Sequence, residues 1–186
     1  MADGLFYNDT RSPHLWADLA SVTLTTTAKA LYTPSAFPVL GGQYFSWVGK
    51  KLRIRLWGKI TTAATPGNGS FDIYYGTGAD ANGVLLASSA ALALTASQTN
   101  LSWQCDVNVS CRSTGSAGTL FCDGIAHMNE AVLASTLQPV MIPASAAVVS
   151  GACDLTAALI ISVQYKRSGS TAETMTVQDI DVVGMN

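Results

Sequence analysis

The sequence predicts an all-β fold, an antiparallel sandwich or barrel. Apolar and polar residues alternate with a period of two wherever a pattern can be read, and no segment carries a sustained helical stripe. Turn residues such as Pro66-Gly-Asn-Gly69 separate the alternating runs at short intervals. The length of 186 residues is typical of one domain.

The individual strands follow from this alternation. Residues 101–112 form the clearest one, because six apolar residues at odd positions alternate with six polar residues at even positions. Residues 83–94 are ambiguous, since Ala and Leu favour helix, and Ser88-Ser89 can mark a bulge or a turn. The predicted strands are residues 21–26, 28–33, 52–60, 71–75, 83–94, 101–112, 119–128, 157–166 and 174–183.

Two regions lie outside the alternation. Residues 1–19 have aromatic and apolar residues without a period, which predicts an N-terminal arm lying on something else, such as a neighbouring subunit, ahead of a domain over residues 20–186. Residues 130–151 form a long apolar connection, typical of a functional loop and long enough to cross between two sheets.

The charge content is low and unevenly distributed. Only 22 of the 186 residues are charged, about half the usual fraction, and the net charge of −2 gives no overall attraction to nucleic acid or an anionic membrane. Residues 81–105 and 131–153 have no charge, and both are too polar to span a membrane. This composition is typical of a protein whose surface is covered by other protein copies.

Half of the basic residues lie between Lys50 and Lys59. On the outward side of this strand, a row of basic residues around Trp57 has three interpretations: phosphate contacts with Trp57 as a stacking platform, contact with an acidic strip on another subunit, or a solvated face. We favour the protein contact, because nucleic-acid binders usually carry a net positive charge. The row consists of Arg53, Arg55, Trp57 and Lys59.

No catalytic motif in the sequence has the surrounding residues that its chemistry requires. The chain has two histidines, His14 and His127, and neither a GxSxG nor an HExxH motif. The Gly-x-Gly at Gly76 is followed by turn residues and is interpreted as a hairpin loop. Asp179 and Asp181 are expected on opposite faces of a strand, which argues against a shared metal. We therefore predict no enzyme, no cofactor and no metal site.

The four cysteines have no CxxC spacing, and no basic, apolar signal segment is found at the N-terminus. We therefore expect a chain made in the cytosol with reduced, buried thiols. A bridge between Cys111 and Cys122 across a hairpin is the geometric alternative.

Four sequence segments resemble segments of the small jelly-roll virion proteins of tailed bacteriophages. They are KLRIRLWGKITTAATP at residues 51–66, FDIYYG at 71–76, LLASSA at 85–90 and NLSW at 100–103. The resemblance covers about residues 40–183. It implies an antiparallel jelly-roll β-sandwich of about eight to ten strands. It also implies a capsid decoration or minor capsid protein that assembles as an oligomer, commonly a trimer, in the host cytoplasm and resides in the virion.

On this interpretation the partners are further copies of the chain and the major capsid protein or other virion proteins, with no nucleic acid and no membrane. The basic strand row and the apolar connection are the expected contact elements. The contact residues are Arg53, Arg55, Trp57, Lys59, Pro139, Met141 and Pro143.

Two alternatives remain open. A tail or fibre-tip module would bind host glycans on aromatic platforms, with Trp57, Tyr74 and Tyr44 as candidates. A polysaccharide-cleaving enzyme, for which Asp179 is a candidate acid, ranks third.

Overall fold

The structure, a computed structural model, describes residues 22–27, 29–31, 39–76, 83–134, 138–146, 148–169 and 173–185. Within these ranges the chain is all-β, as predicted, with eleven strands and one short 3-10 helix at Glu130–Val132. The strands are β1 (Val22–Thr23), β2 (Lys29–Ala30), β3 (Lys51–Thr61), β4 (Asn68–Gly76), β5 (Val84–Ser88), β6 (Leu92–Ala93), β7 (Leu101–Ser113), β8 (Thr119–Met128), β9 (Val140–Ile142), β10 (Ile160–Arg167) and β11 (Thr174–Met185).

The strands form two antiparallel sheets, an arrangement consistent with a β-sandwich. Sheet A has six strands in the order β1-β11-β3-β7-β8-β9. Sheet B has the order β2-β10-β4-β5, and β6 also pairs with β4. The buried apolar side chains of both sheets belong to one core cluster.

Every second side chain of β3 and β7 points into the core, as the alternation predicts. Leu52, Ile54 and Leu56 of β3 are fully buried, and the residues between them are half-buried on the outer face. Ile54 lies opposite Val107 of β7, so the inward residues of neighbouring strands stack in register. Each such side chain contributes roughly 1.5–3 kcal/mol by leaving water.

An aromatic cluster fills the middle of the core. Phe71 contacts Tyr165 edge to face at 4.9 Å between ring centroids and lies 5.7 Å from the Trp103 ring. Gly69 of β4 lies against the Tyr165 phenol, where a Cβ would overlap the ring. Only glycine leaves room for this tyrosine.

The strand number exceeds the predicted eight to ten for two reasons. Residues 83–94 are split at Ser89-Ala91 into β5 and β6 rather than forming one strand, near the point where Ser88-Ser89 suggested a break. The apolar connection over residues 130–151 also contains a strand, β9, that pairs with β8. The predicted arm at residues 1–19 and most of the predicted loop after Gly76 lie outside the described residues.

All four cysteines are free and buried. Cys111 lies opposite Leu120 and Cys122 opposite Val109, so the two are not cross-strand neighbours and the alternative bridge is not formed. Burial raises the pKa of Cys122 to about 12. The thiols are part of the core.

Candidate functional site

The outer face of sheet A carries the basic row that the alternation predicted. Arg53, Arg55, Trp57 and Lys59 are all half-buried and lie on the side of β3 that faces away from the core. Their neighbours on β7 and β11 determine the character of this face.

Carboxylates of the same sheet neutralise both arginines of this row. Arg53 donates from Nε to Asp106 Oδ1 at 2.9 Å and from Nη2 to the other carboxylate oxygen. These hydrogen bonds are the main reason that the pKa of Arg53 rises above its ordinary value. Arg55 pairs with Asp181 of β11 at 3.0 Å. The row is therefore a set of alternating charges rather than a free positive strip.

The expectation that Asp179 and Asp181 face opposite sides of their strand was wrong. Asp179 lies opposite Trp57 and Asp181 opposite Arg55, so both are on the outer face. Residues two apart in a strand share a face, because successive side chains alternate. No group of three or more metal-binding side chains occurs among the described residues, these two included.

A shallow cleft of about 260 Å³ adjoins Trp57 on this face. Gln104 of β7 lies beside Trp57 in register, and His127 of β8 follows on the far side of Gln104. Cys105 and Cys122 are buried in the core, whereas His127 lines this surface cleft, which argues against a catalytic cysteine-histidine pair.

The predicted apolar contact residues lie at the edge of the same sheet. β9 is the edge strand, Pro139 and Pro143 flank it, and the side chain of Met141 is 60% exposed. Met141 lies opposite Ile125 of β8, which in turn lies opposite Asp106. The fold thus brings the two predicted contact groups onto one face of sheet A.

Tyr44 is not available as a flat platform. Its ring packs edge to face on Phe45 at 4.9 Å, and the Lys50 ammonium lies 5.1 Å from the ring centroid. The sequence proposed Tyr44 together with Trp57 and Tyr74, but the structure separates the three. Trp57 is on sheet A, Tyr44 in the loop before β3, and Tyr74 on sheet B.

A second cavity, of about 400 Å³, lies on the outer face of sheet B. Asp72 of β4 lines it and is only 5% exposed. Its Oδ1 accepts hydrogen bonds from the Ser88 hydroxyl at 2.5 Å and the Ser70 hydroxyl at 3.4 Å. Two neutral hydroxyl donors therefore hold one oxygen of this buried carboxylate.

Other side chains of β4, β5 and β10 complete the pocket. Tyr74 lies opposite Leu85, which is 46% exposed, and Lys166 lies opposite Ser70. Burial, with a smaller effect from Asp72, raises the pKa of the Tyr74 hydroxyl. The pocket therefore combines an apolar wall, a carboxylate and an ammonium group.

Alternation in the predicted strand at residues 71–75 puts Asp72 and Tyr74 on one face, but nothing in the sequence singles out Asp72. An aspartate on the outward side of a strand is typical of a solvated face. Its burial depends on β5 and β10, and the alignment of those strands with β4 is not visible in the sequence.

No known protein family, curated protein or solved structure matches this chain. Among the described residues no helix is long and apolar enough to cross a membrane.

Proposed function

We propose that this chain is a jelly-roll structural protein of a bacteriophage virion that binds the outer capsid shell and reinforces it. The observation that carries the proposal is the strand pairing. A jelly roll is a long hairpin rolled up, in which the first strand pairs with the last and the pairing proceeds inward.

The pairs in this chain follow that order. Four antiparallel pairs nest inside one another: β1 with β11, β2 with β10, β3 with β7, and β4 with β5. Rolling the hairpin then brings β11 beside β3 and β10 beside β4, and both contacts are present. In this interpretation β8 and β9 extend sheet A beyond the eight jelly-roll strands.

The outer face of sheet A supports a role in assembly. The charges of Arg53 and Arg55 are paired within the sheet, so covering this face with protein leaves neither of these guanidinium groups buried without a counter-charge. Met141 on the adjacent edge is 60% exposed, and Val148 and Val149, which precede Ser150 where its N–H donates to the Leu120 carbonyl of β8, are 67% and 51% exposed. Exposed apolar groups beside paired charges are typical of a surface that contacts another protein.

We propose that this edge, with Pro139, Met141 and Pro143, binds the major capsid protein. The row of Arg53, Arg55, Trp57 and Lys59 packs against the shell or a second copy of the chain in a trimer. The proposal does not require a catalytic residue.

Co-sedimentation of the purified protein with expanded capsids tests the proposal. We expect the wild-type protein to pellet with the shells at saturating stoichiometry, and Met141→Asp to reduce the affinity by about tenfold or more, because it places a charge in an apolar contact. Leu85→Asp is the matched control, since Leu85 is an exposed apolar residue of the opposite sheet. A wild-type protein that stays in the supernatant at every concentration would contradict the proposal.

A further inference from the structure

The pocket on sheet B lies on the opposite sheet from the proposed contact surface and contains a group that the structural role does not use. Asp72 is buried at its floor, and Ser70 and Ser88 hold one of its carboxylate oxygens. Burying a carboxylate costs free energy unless its oxygens find donors. The two serine hydroxyls offset this cost at one of the two oxygens.

The second carboxylate oxygen of Asp72 is not held by the two serines. Within the described part of the chain, Oδ2 accepts no hydrogen bond, yet it is not among the enclosed polar atoms that lack a partner. Asp72 is 5% exposed and lines the cavity, so Oδ2 is the carboxylate oxygen left to accept a hydrogen bond from a group bound there. The carboxylate presents a strong acceptor to whatever enters.

The remaining walls limit the chemistry of the ligand. Tyr74 and Leu85 form an apolar surface on one side, and the exposed Lys166 contributes an ammonium group on the other. An anionic ligand would meet Asp72, and a cationic ligand would meet Lys166. A neutral molecule that offers both hydroxyl donors and acceptors satisfies the two charges at once.

We propose that this pocket binds a neutral sugar ring. The C–H face of the ring packs on Tyr74 and Leu85, one hydroxyl donates to Asp72 Oδ2, and another accepts from Lys166. The volume of about 400 Å³ falls in the range of small-molecule sites and suits one or two sugar units. The inference is independent of the capsid-binding proposal, because it concerns the other sheet.

Ligand-observed NMR on the purified protein tests the proposal. The probes are glucose, galactose, mannose and N-acetylglucosamine, each free in solution. We expect saturation transfer to at least one of them in the wild type. Asp72→Asn keeps the shape and the serine contacts but removes the charge, so the affinity should fall about tenfold or more. Tyr74→Ala should also lower it by removing the stacking surface.

Trp47→Ala is the matched control, because it removes an exposed aromatic residue from the loop before β3, outside the pocket. It should leave sugar binding unchanged. Thermal unfolding of each variant separates loss of the site from loss of the fold, and Lys166→Met provides a second test if Asp72→Asn unfolds.

Three results would overturn the inference. The wild type binds none of the four sugars, or the binding survives both Asp72→Asn and Lys166→Met, or methylammonium displaces the bound sugar and binds more tightly than any of the four. The last result would assign the pocket to a cationic side chain of a protein partner. None of these results depends on whether the protein binds capsids.

Discussion

Arg53 and Asp106 are joined across β3 and β7 by two parallel hydrogen bonds, one of them 2.9 Å from Nε to Oδ1. Their side chains are 38% and 26% exposed, so solvent screens the charge interaction. A double-mutant cycle with Arg53→Gln and Asp106→Asn should give a coupling of about 0.5–1 kcal/mol that decreases as salt is added. Urea unfolding of the four proteins measures it. A coupling of about 3 kcal/mol would mean that this face is shielded from water.

A second ion pair lies at the opposite extreme of burial. The Glu173 side chain is fully buried, and Arg167 Nε lies 3.7 Å from its Oε2 while also donating to the Leu24 carbonyl at 2.6 Å. Arg167→Leu removes the guanidinium beside this buried carboxylate and should lower the free energy of unfolding by about 3–5 kcal/mol. The double variant Arg167→Leu/Glu173→Leu should recover most of that loss in denaturant unfolding. If the single change costs less than about 1 kcal/mol, the pair does not hold this end of the sandwich.

Gly69 is required by the ring of Tyr165. Gly69→Ala places a methyl group inside the phenol of a fully buried tyrosine, so we expect a loss of about 1–3 kcal/mol in unfolding free energy. Gly41→Ala is the control, because a Cβ at Gly41 meets no atom within 4 Å. Differential scanning calorimetry compares the two. Equal melting temperatures would show that the core rearranges around the added methyl group without loss of stability.

The Cys122 thiol should make stability fall in alkali. Burial raises its folded pKa to about 12 from an ordinary value of 9.0, so the folded state holds the proton more tightly than the unfolded state. Its contribution is complete below pH 9 and is lost as the pH rises toward 12. The slope for one thiol approaches about 1.4 kcal/mol per pH unit between those values.

Cys122→Val should remove this part of the pH dependence, and unfolding of wild type and variant from pH 8 to pH 11 measures the difference. An Ellman titration at pH 8 should find no rapidly reacting thiol in the folded protein, because all four cysteines are buried. The thiols should react only slowly, as the folded protein transiently opens. Rapid reaction of one or more thiols before unfolding would contradict the packing described.

Period-two alternation predicted the two strands on which the fold depends. The inward residues of β3 and β7 are those that the sequence placed in the core. The break between β5 and β6 was harder to predict, because Ala and Leu suit strand, helix and turn alike. β9 was missed because three residues are too short to show a period.

The candidate sites depended on information that is not local. The side chains of Arg53 and Arg55 were correctly placed on an outer face, but their partners Asp106 and Asp181 are separated from them by more than fifty residues in sequence. The surroundings of Asp72 likewise depend on Ser88 and Lys166, which lie on other strands. A sequence indicates which face a residue occupies, whereas the register between strands decides what it meets.

Cryo-electron microscopy of phage particles assembled in cells that express this chain tests the proposed capsid role most directly. We expect density for the sandwich on the outside of the capsid shell, repeated with the symmetry of the lattice. The β9 edge with Met141 should face the major capsid protein, and sheet B should face solvent. Density confined to the tail or fibre tip, or a particle that lacks the chain altogether, would contradict the claim.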